Sequence, residues 1–229
     1  MTLVQKQTTI FLKHKIKEVF KNIESSKREN QKVKLLAVTK THPKEVIQQS
    51  FDCGIKLFGE NKVQEAEKKY LDKPKGSELH FIGRLQTNKI NKALKIFDVI
   101  ESVDSLKLAK NINQRATIIS KTQRIFCQIN IGSDPKKTGF TIKELKQHIE
   151  EIINYPNISL EGIMTILPNS INQEKRSKLF NKTKQITEKI SKEYKKDLEI
   201  SMGMSGDYME AIQHGATIVR VGSKLYGSR

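Results

Sequence analysis

VKLLAVTKTHP, residues 33–43, passes from an apolar stretch (Leu35, Leu36, Ala37, Val38) through Thr39 to Lys40, and then into Thr41, His42 and Pro43. It reads as a buried strand that stops at a lysine. A strand end gives an amine a rigid base, and apolar surroundings make a lysine easier to deprotonate, so a lysine placed there can act as a nucleophile toward a carbonyl. The plainer alternative is a surface lysine capping a strand, one of 42 Lys and Arg residues in the chain.

Outward from this stretch, strand and helix patterns alternate without interruption. Period-2 and continuous apolar runs predict strands near 33–39, 55–58, 79–83, 97–101, 124–131, 158–164, 198–202 and 217–221. Helical periodicity predicts helices near 43–53, 61–71, 87–95, 104–120, 141–154, 172–195 and 206–214. An amphipathic helix precedes them all, with Phe11, Ile16, Val19, Phe20 and Ile23 at helical spacing. Alternation of this kind implies parallel strands joined by crossovers, and eight strands imply closure into a (β/α)8 TIM barrel with an extra N-terminal helix. An open doubly wound sheet is the competitor, but no G-x-G-x-x-G follows the first strand.

Size agrees, since 229 residues lie just below the ~250 typical of such a barrel. With five prolines and no Gly/Ser-rich linker or repeat, a single domain over 1–229 is expected. The net charge of +17 invites a nucleic-acid reading. Its lysines, however, are spread over helix faces, as in Lys13, Lys15, Lys17 and Lys21, or Lys182, Lys184, Lys189, Lys192, Lys195 and Lys196, so solvated faces are preferred and no specific nucleic acid is expected. Cys53 and Cys127 form no C-x-x-C pair, the five histidines show no H-E-x-x-H spacing, and no metal site is expected. Reduced thiols, the lysines that interrupt the first twenty residues and the lack of any run of membrane-spanning length point to a cytoplasmic protein.

In a barrel the chemistry gathers at the carboxyl ends of the strands. Polar or glycine residues recur at these predicted ends: Lys40; Gly59, Glu60 and Asn61; Gly83 and Arg84; Glu101, Ser102 and Asp104; Asn130; Thr165. The last two loops are the most specific. Gly203, Met204, Ser205 and Gly206 form a glycine-flanked turn before a helix, and Gly222 with Ser223 offers a second, so backbone N–H groups could hold a phosphate. Simple N-capping by Ser205 and Ser223 is the structural alternative. A strand-end lysine, a phosphate cradle and Arg220 on the last strand together fit pyridoxal 5'-phosphate, with Lys40 forming the aldimine and Arg220 facing the pyridine ring. A permanent cation there disfavours protonation of the ring nitrogen and weakens the ring as an electron sink.

AVTKTHP (37–43), FGENKVQE (58–65), HFIGRLQTNK (80–89), SVD (102–104), LEGIMTI (160–166), SMGMSGD (201–207) and VRVGSKLYG (219–227) resemble the pyridoxal phosphate homeostasis protein family in order and over nearly the whole chain. The resemblance implies a barrel like the N-terminal domain of alanine racemase. It implies covalent cofactor binding by Lys40, a phosphate held by Ser205, Gly222 and Ser223, Arg220 at the pyridine nitrogen and Asn61 beside the ring. It also implies a protein that holds and releases the cofactor without clear turnover. No catalytic residues are expected, and a monomer with PLP-requiring apo-enzymes as transient partners is the expectation. The chain departs from the family pattern at Lys62, where an aromatic is common, and at Thr39 and Ser223, which keep the usual hydroxyl. Lys137, in KKTGF, fits a family K-x-G pattern and reads as a solvated loop lysine. The alternative function is a PLP-dependent amino-acid racemase. No second domain is seen after Arg229 to bring a tyrosine as second base, and Tyr208 and Tyr226 read as packing residues.

Overall fold

The computed structural model describes residues 3–227. Its centre is a closed barrel of eight parallel strands: β1 (Lys34–Val38), β2 (Leu57–Glu60), β3 (Glu78–Phe81), β4 (Val99–Val103), β5 (Gln123–Ile129), β6 (Ile158–Thr165), β7 (Glu199–Ser201) and β8 (Ile218–Val221). Neighbours in space are neighbours in sequence, and β8 closes on β1 with Lys34 beside Ile218 and Ala37 beside Val221. The helices are α1 (Leu3–Ser26), α2 (Glu45–Asp52), α3 (Val63–Lys69), α4 (Ile90–Ile96), α5 (Leu106–Ile118), α6 (Ile142–Ile153), α7 (Gln173–Tyr194), α8 (Tyr208–Gln213) and α9 (Ser223–Tyr226). Among the described residues no helix is long and apolar enough to cross a membrane.

Local chemistry sets several boundaries. Ser105 and Asn172 accept backbone N–H bonds at the starts of α5 and α7, and Thr141 with Glu144 forms a reciprocal capping box on α6. The helix expected over 87–95 opens with a tighter 3-10 turn, Thr87–Lys89, before α4. In α1 the buried stripe is Leu12, Ile16, Val19 and Ile23, with Phe20 packed at its edge. Phe11, expected on that stripe, is 59% exposed because the helical turn rotates it past the stripe toward solvent.

Side-chain alternation along the strands divides the core in two. One layer fills the space between strands and helices. A smaller apolar cluster, Leu36, Val38, Val99, Phe126, Met164 and Ile218, fills the barrel interior. That interior is not wholly apolar. His80, Glu101, Ser201 and Arg220 are buried as well, and they run up to the carboxyl end of the barrel.

Candidate functional site

At the carboxyl ends of the strands lies a cavity of ≈ 670 Å³. All six residues singled out from the sequence line it: Lys40, Asn61, Ser205, Arg220, Gly222 and Ser223. Ile82, Arg84 and Ile166 complete the walls, and His42 stands at the rim with its ring 5.0 Å from that of Tyr226.

On the β1–β3 side the backbone around Lys40 is held by side chains. Thr39 continues the strand pairing, donating its N–H to the Gly59 carbonyl (3.1 Å), and Lys40 then enters a turn. Thr41 takes a left-handed conformation (φ 67°), and its N–H donates to Glu65 Oε1. Lys69 Nζ donates to the Thr39 carbonyl (2.7 Å), Glu60 Oε1 (2.7 Å) and Glu65 Oε1 (3.0 Å). Thr39 Oγ1 donates to Glu60 Oε1 (2.8 Å) and lies 2.6 Å from the Tyr70 hydroxyl. Burial raises the Glu60 carboxyl above the ordinary range, against the pull of Lys69 and Thr39. Asn61 continues this wall. Its backbone carbonyl presses on Gly83, where a Cβ would lie 2.2 Å from it, so only glycine fits. Asn61 Oδ1 is buried without a hydrogen-bond partner.

On the β7–β8 side the wall is backbone. Gly203 takes a positive φ (92°) open to glycine, and its carbonyl accepts from the Arg220 N–H (3.0 Å). Ser205 Oγ ties the two loops together by accepting from the N–H groups of Gly222 (3.2 Å) and Lys224 (3.5 Å). The N-cap positions of α8 and α9 fall to Asp207 and Gly222, so neither Ser205 nor Ser223 caps the helix that follows it in the chain, and the Ser205 hydroxyl instead takes up N–H groups at the start of α9 across the loops. The short α9 after β8 was not legible in the sequence, being a single turn with no period to read.

The floor is Arg220, 4% exposed. Its Nη1 donates to Ser201 Oγ (2.6 Å) and its Nη2 to the Thr165 carbonyl (2.7 Å). Burial lowers its pKa and the Glu101 carboxylate opposes that shift. Lys137 corrects the expectation of a solvated lysine: it is half-buried, and its Nζ donates to the Leu167 carbonyl (2.5 Å), strapping the loop after β5 to the loop after β6. Tyr208 and Tyr226 are packing residues as expected. The Tyr208 hydroxyl accepts from Asn22 Nδ2 (3.0 Å), and the Tyr226 hydroxyl pairs with Ser50 Oγ (2.9 Å). The cavity thus gathers an amine at its rim, backbone and hydroxyl donors on one wall and a permanent cation at its floor, which suits a small anionic carbonyl compound.

Residues 15–229 match the family model of the alanine racemase N-terminal domain. A pyridoxal phosphate homeostasis protein of Aquifex aeolicus is 39% identical over 216 residues, 93% of this chain and 95% of that one. One from Synechocystis is 38% identical over 200 residues, 86% of this chain and 92% of that one. Among solved structures, PipY of Synechococcus elongatus with PLP bound superposes with a TM-score of 0.82 at 31% identity, covering 93% of this chain and 100% of that chain. Alanine racemase of Clostridium difficile shares the fold (TM-score 0.79, 20% identity), with 94% of this chain matching 57% of the racemase chain.

Proposed function

The chain belongs to the family of the alanine racemase N-terminal domain, among the pyridoxal phosphate homeostasis proteins, and on that premise we propose that it holds pyridoxal 5'-phosphate in the strand-end cavity, attached reversibly through Lys40, and hands it on to PLP-requiring apo-enzymes. The observation that carries the proposal is the convergence in one cavity of Lys40, Arg220 and the Ser205, Gly222 and Ser223 wall.

The residues fit the group. Ser205 Oγ and the N–H groups of the two joined loops suit its phosphate, and the buried, unpartnered Asn61 Oδ1 leaves a polar atom for the ring region. When bound, the cofactor supplies an aldehyde that condenses with amines and a pyridine ring that withdraws electrons. Lys40 contributes the nucleophilic amine, held at its turn by the Lys69 and Glu65 contacts to its neighbours. Arg220 cannot give up its proton and so opposes a second positive charge on the ring nitrogen. That weakens carbanion chemistry and favours holding over turnover.

A racemase reading needs a second base opposite the lysine. Neither Tyr208 nor Tyr226 lines the cavity, and both phenols are tied to other side chains, which supports the carrier reading. The relatives, too, are named homeostasis proteins. The test is incubation with pyridoxal 5'-phosphate, borohydride reduction and peptide mass mapping. The added mass is expected on Lys40, and the visible absorption band is expected to vanish in Lys40→Ala. Mass chiefly on Lys137 overturns the assignment. Turnover of L-amino acids at ordinary enzyme rates, ~1 to 10³ per second, would establish the racemase instead.

A further inference from the structure

Beneath the cavity floor, a line of buried polar side chains crosses the barrel interior. Arg220 Nη1 donates to Ser201 Oγ (2.6 Å), and Ser201 Oγ donates to Glu101 Oε2 (2.6 Å). Glu101 Oε1 faces His80 Nδ1 at 2.6 Å. His80 Nε2 stands 3.6 Å from Glu78 Oε2, too far for a hydrogen bond but close enough for charge attraction. Glu78 is in turn bound by Arg124 Nη1 (2.8 Å), whose Nε donates to Glu161 (2.7 Å). Glu101 and Ser201 are fully buried, and Arg220 and His80 nearly so.

Ionised groups in a barrel core cost several kcal/mol each unless closely paired, and apolar side chains of like volume often serve stability as well or better. Stability alone therefore gives a weak reason for this line. Its upper end gives a stronger one, because Arg220 lines the cavity. Glu101 reaches Arg220 through the Ser201 hydroxyl, and its other oxygen is engaged by His80. Burial by itself would keep the His80 imidazole neutral, but Glu101 at one ring nitrogen and Glu78 beyond the other outweigh it and hold its pKa above the ordinary value.

We propose that Glu101 and His80 are positioning residues for Arg220: the buried line fixes the place of the guanidinium and sets how much positive charge it presents to the pyridine nitrogen of the cofactor. The proposal rests on the reading of the cavity as a pyridoxal 5'-phosphate site. An imidazolium at position 80 shares the Glu101 carboxylate with Arg220 and leaves Arg220 a stronger field at the floor. A neutral residue there gives the whole carboxylate to Arg220 and weakens that field. Since neither side chain touches the cavity, both act through Arg220 alone.

The test compares wild type, His80→Gln, Ser201→Ala, Arg220→Lys and the His80→Gln/Arg220→Lys double variant. Ser201→Ala cuts the link without removing a charge, so it still reports if His80→Gln fails to fold. Three quantities are read: the pH titration of the visible band of the loaded protein, its affinity for pyridoxal 5'-phosphate, and the order of the Arg220 side chain by NMR in the cofactor-free protein. His80→Gln is expected to shift the band titration toward easier ring protonation and Ser201→Ala, which parts Arg220 from the Glu101 carboxylate, toward harder protonation; both are expected to weaken cofactor binding about tenfold and to loosen Arg220 in the free protein. In the Arg220→Lys background the spectral effect of His80→Gln is expected to vanish, which a general packing defect would not produce. A wild type that binds cofactor while its variants keep the same band and the same Arg220 order overturns the inference alone, as does an undiminished His80→Gln effect without Arg220. A wild type that takes up no cofactor overturns the reading beneath it.

Discussion

The two walls of the cavity are built from different materials. Around Lys40 the chain is fixed by side chains in a buried ionic cluster, in which Lys69, Glu60, Glu65 and Thr39 hold one another and the turn. Across the cavity, the loops after β7 and β8 are fixed by backbone: a glycine at positive φ, a short helix and one hydroxyl between two N–H groups. A backbone wall can point several N–H groups at an anion without burying a charge, which suits a phosphate that must come and go. A nucleophile needs one atom held in one place, and interlocked side chains do that at the cost of desolvating ions. The difference makes the first wall sensitive to loss of a single partner and the second tolerant of it.

The largest effect is expected from Lys69→Met. It strips the cation from Glu60, which is fully buried, and should cost about 3–5 kcal/mol in urea unfolding. Glu60 already has a folded-state pKa raised above 4.5, so its contribution is fully present below that pH and is lost as pH rises through the folded value. Without Lys69 the folded value rises further. The deficit of the variant should therefore be small near the ordinary glutamate value of 4.5 and grow as pH rises above it; a deficit constant with pH would mean that Glu60 is not the group left exposed to the loss.

Next comes Gly83→Ala, whose Cβ meets the Asn61 backbone at 2.2 Å. A loss of about 1–3 kcal/mol is expected, with displacement of Asn61. An unchanged thermal midpoint would show that this wall yields more easily than its packing implies.

Ser205→Ala tests the other wall. Its stability should stay within about 1 kcal/mol of wild type, while affinity for pyridoxal 5'-phosphate falls about tenfold and affinity for pyridoxal lacking the phosphate does not change. Equal losses for both ligands would remove the phosphate from this wall.

The smallest effect belongs to Glu78→Gln, far from both walls. The neighbouring His80 and Arg124 hold the Glu78 carboxyl at about 2 against burial. The carboxylate therefore contributes stability above its ordinary value of 4.5, and loses it as pH falls toward about 2. Its side chain is 42% exposed, so solvent screening keeps the difference from the variant below about 1 kcal/mol. A larger gap would mean that the interior line is more strongly coupled to the far rim than this exposure allows.

Legibility in the sequence followed the same division. The strands were readable because each is a short apolar run between helical periods: 124–131 was expected where Gln123–Ile129 stands, and 158–164 where Ile158–Thr165 stands. The sequence pattern puts the second strand two residues early, because Ile55 is apolar but packs in the approach, and pairing with β1 begins at Leu57. The backbone wall was visible because Gly203, Gly206 and Gly222 mark its two short turns. The ionic cluster was not, because Lys69 lies 30 residues from Thr39 and looks like any other lysine on a helix. The interior line was still less visible, since its successive bonds join residues 21, 100 and 19 apart.

Periodicity, strand ends and glycine placement, which act within a few residues, pointed to a closed eight-stranded barrel and to the cavity residues Lys40, Ser205, Arg220, Gly222 and Ser223, and Asn61 was singled out only by the family resemblance. Only the tertiary structure decided which charges meet. Lys69 joins Glu60, Lys137 is strapped to the Leu167 carbonyl and Glu101 stands between His80 and Arg220, because barrel closure and strand register bring together side chains whose separation along the chain carries no local signal.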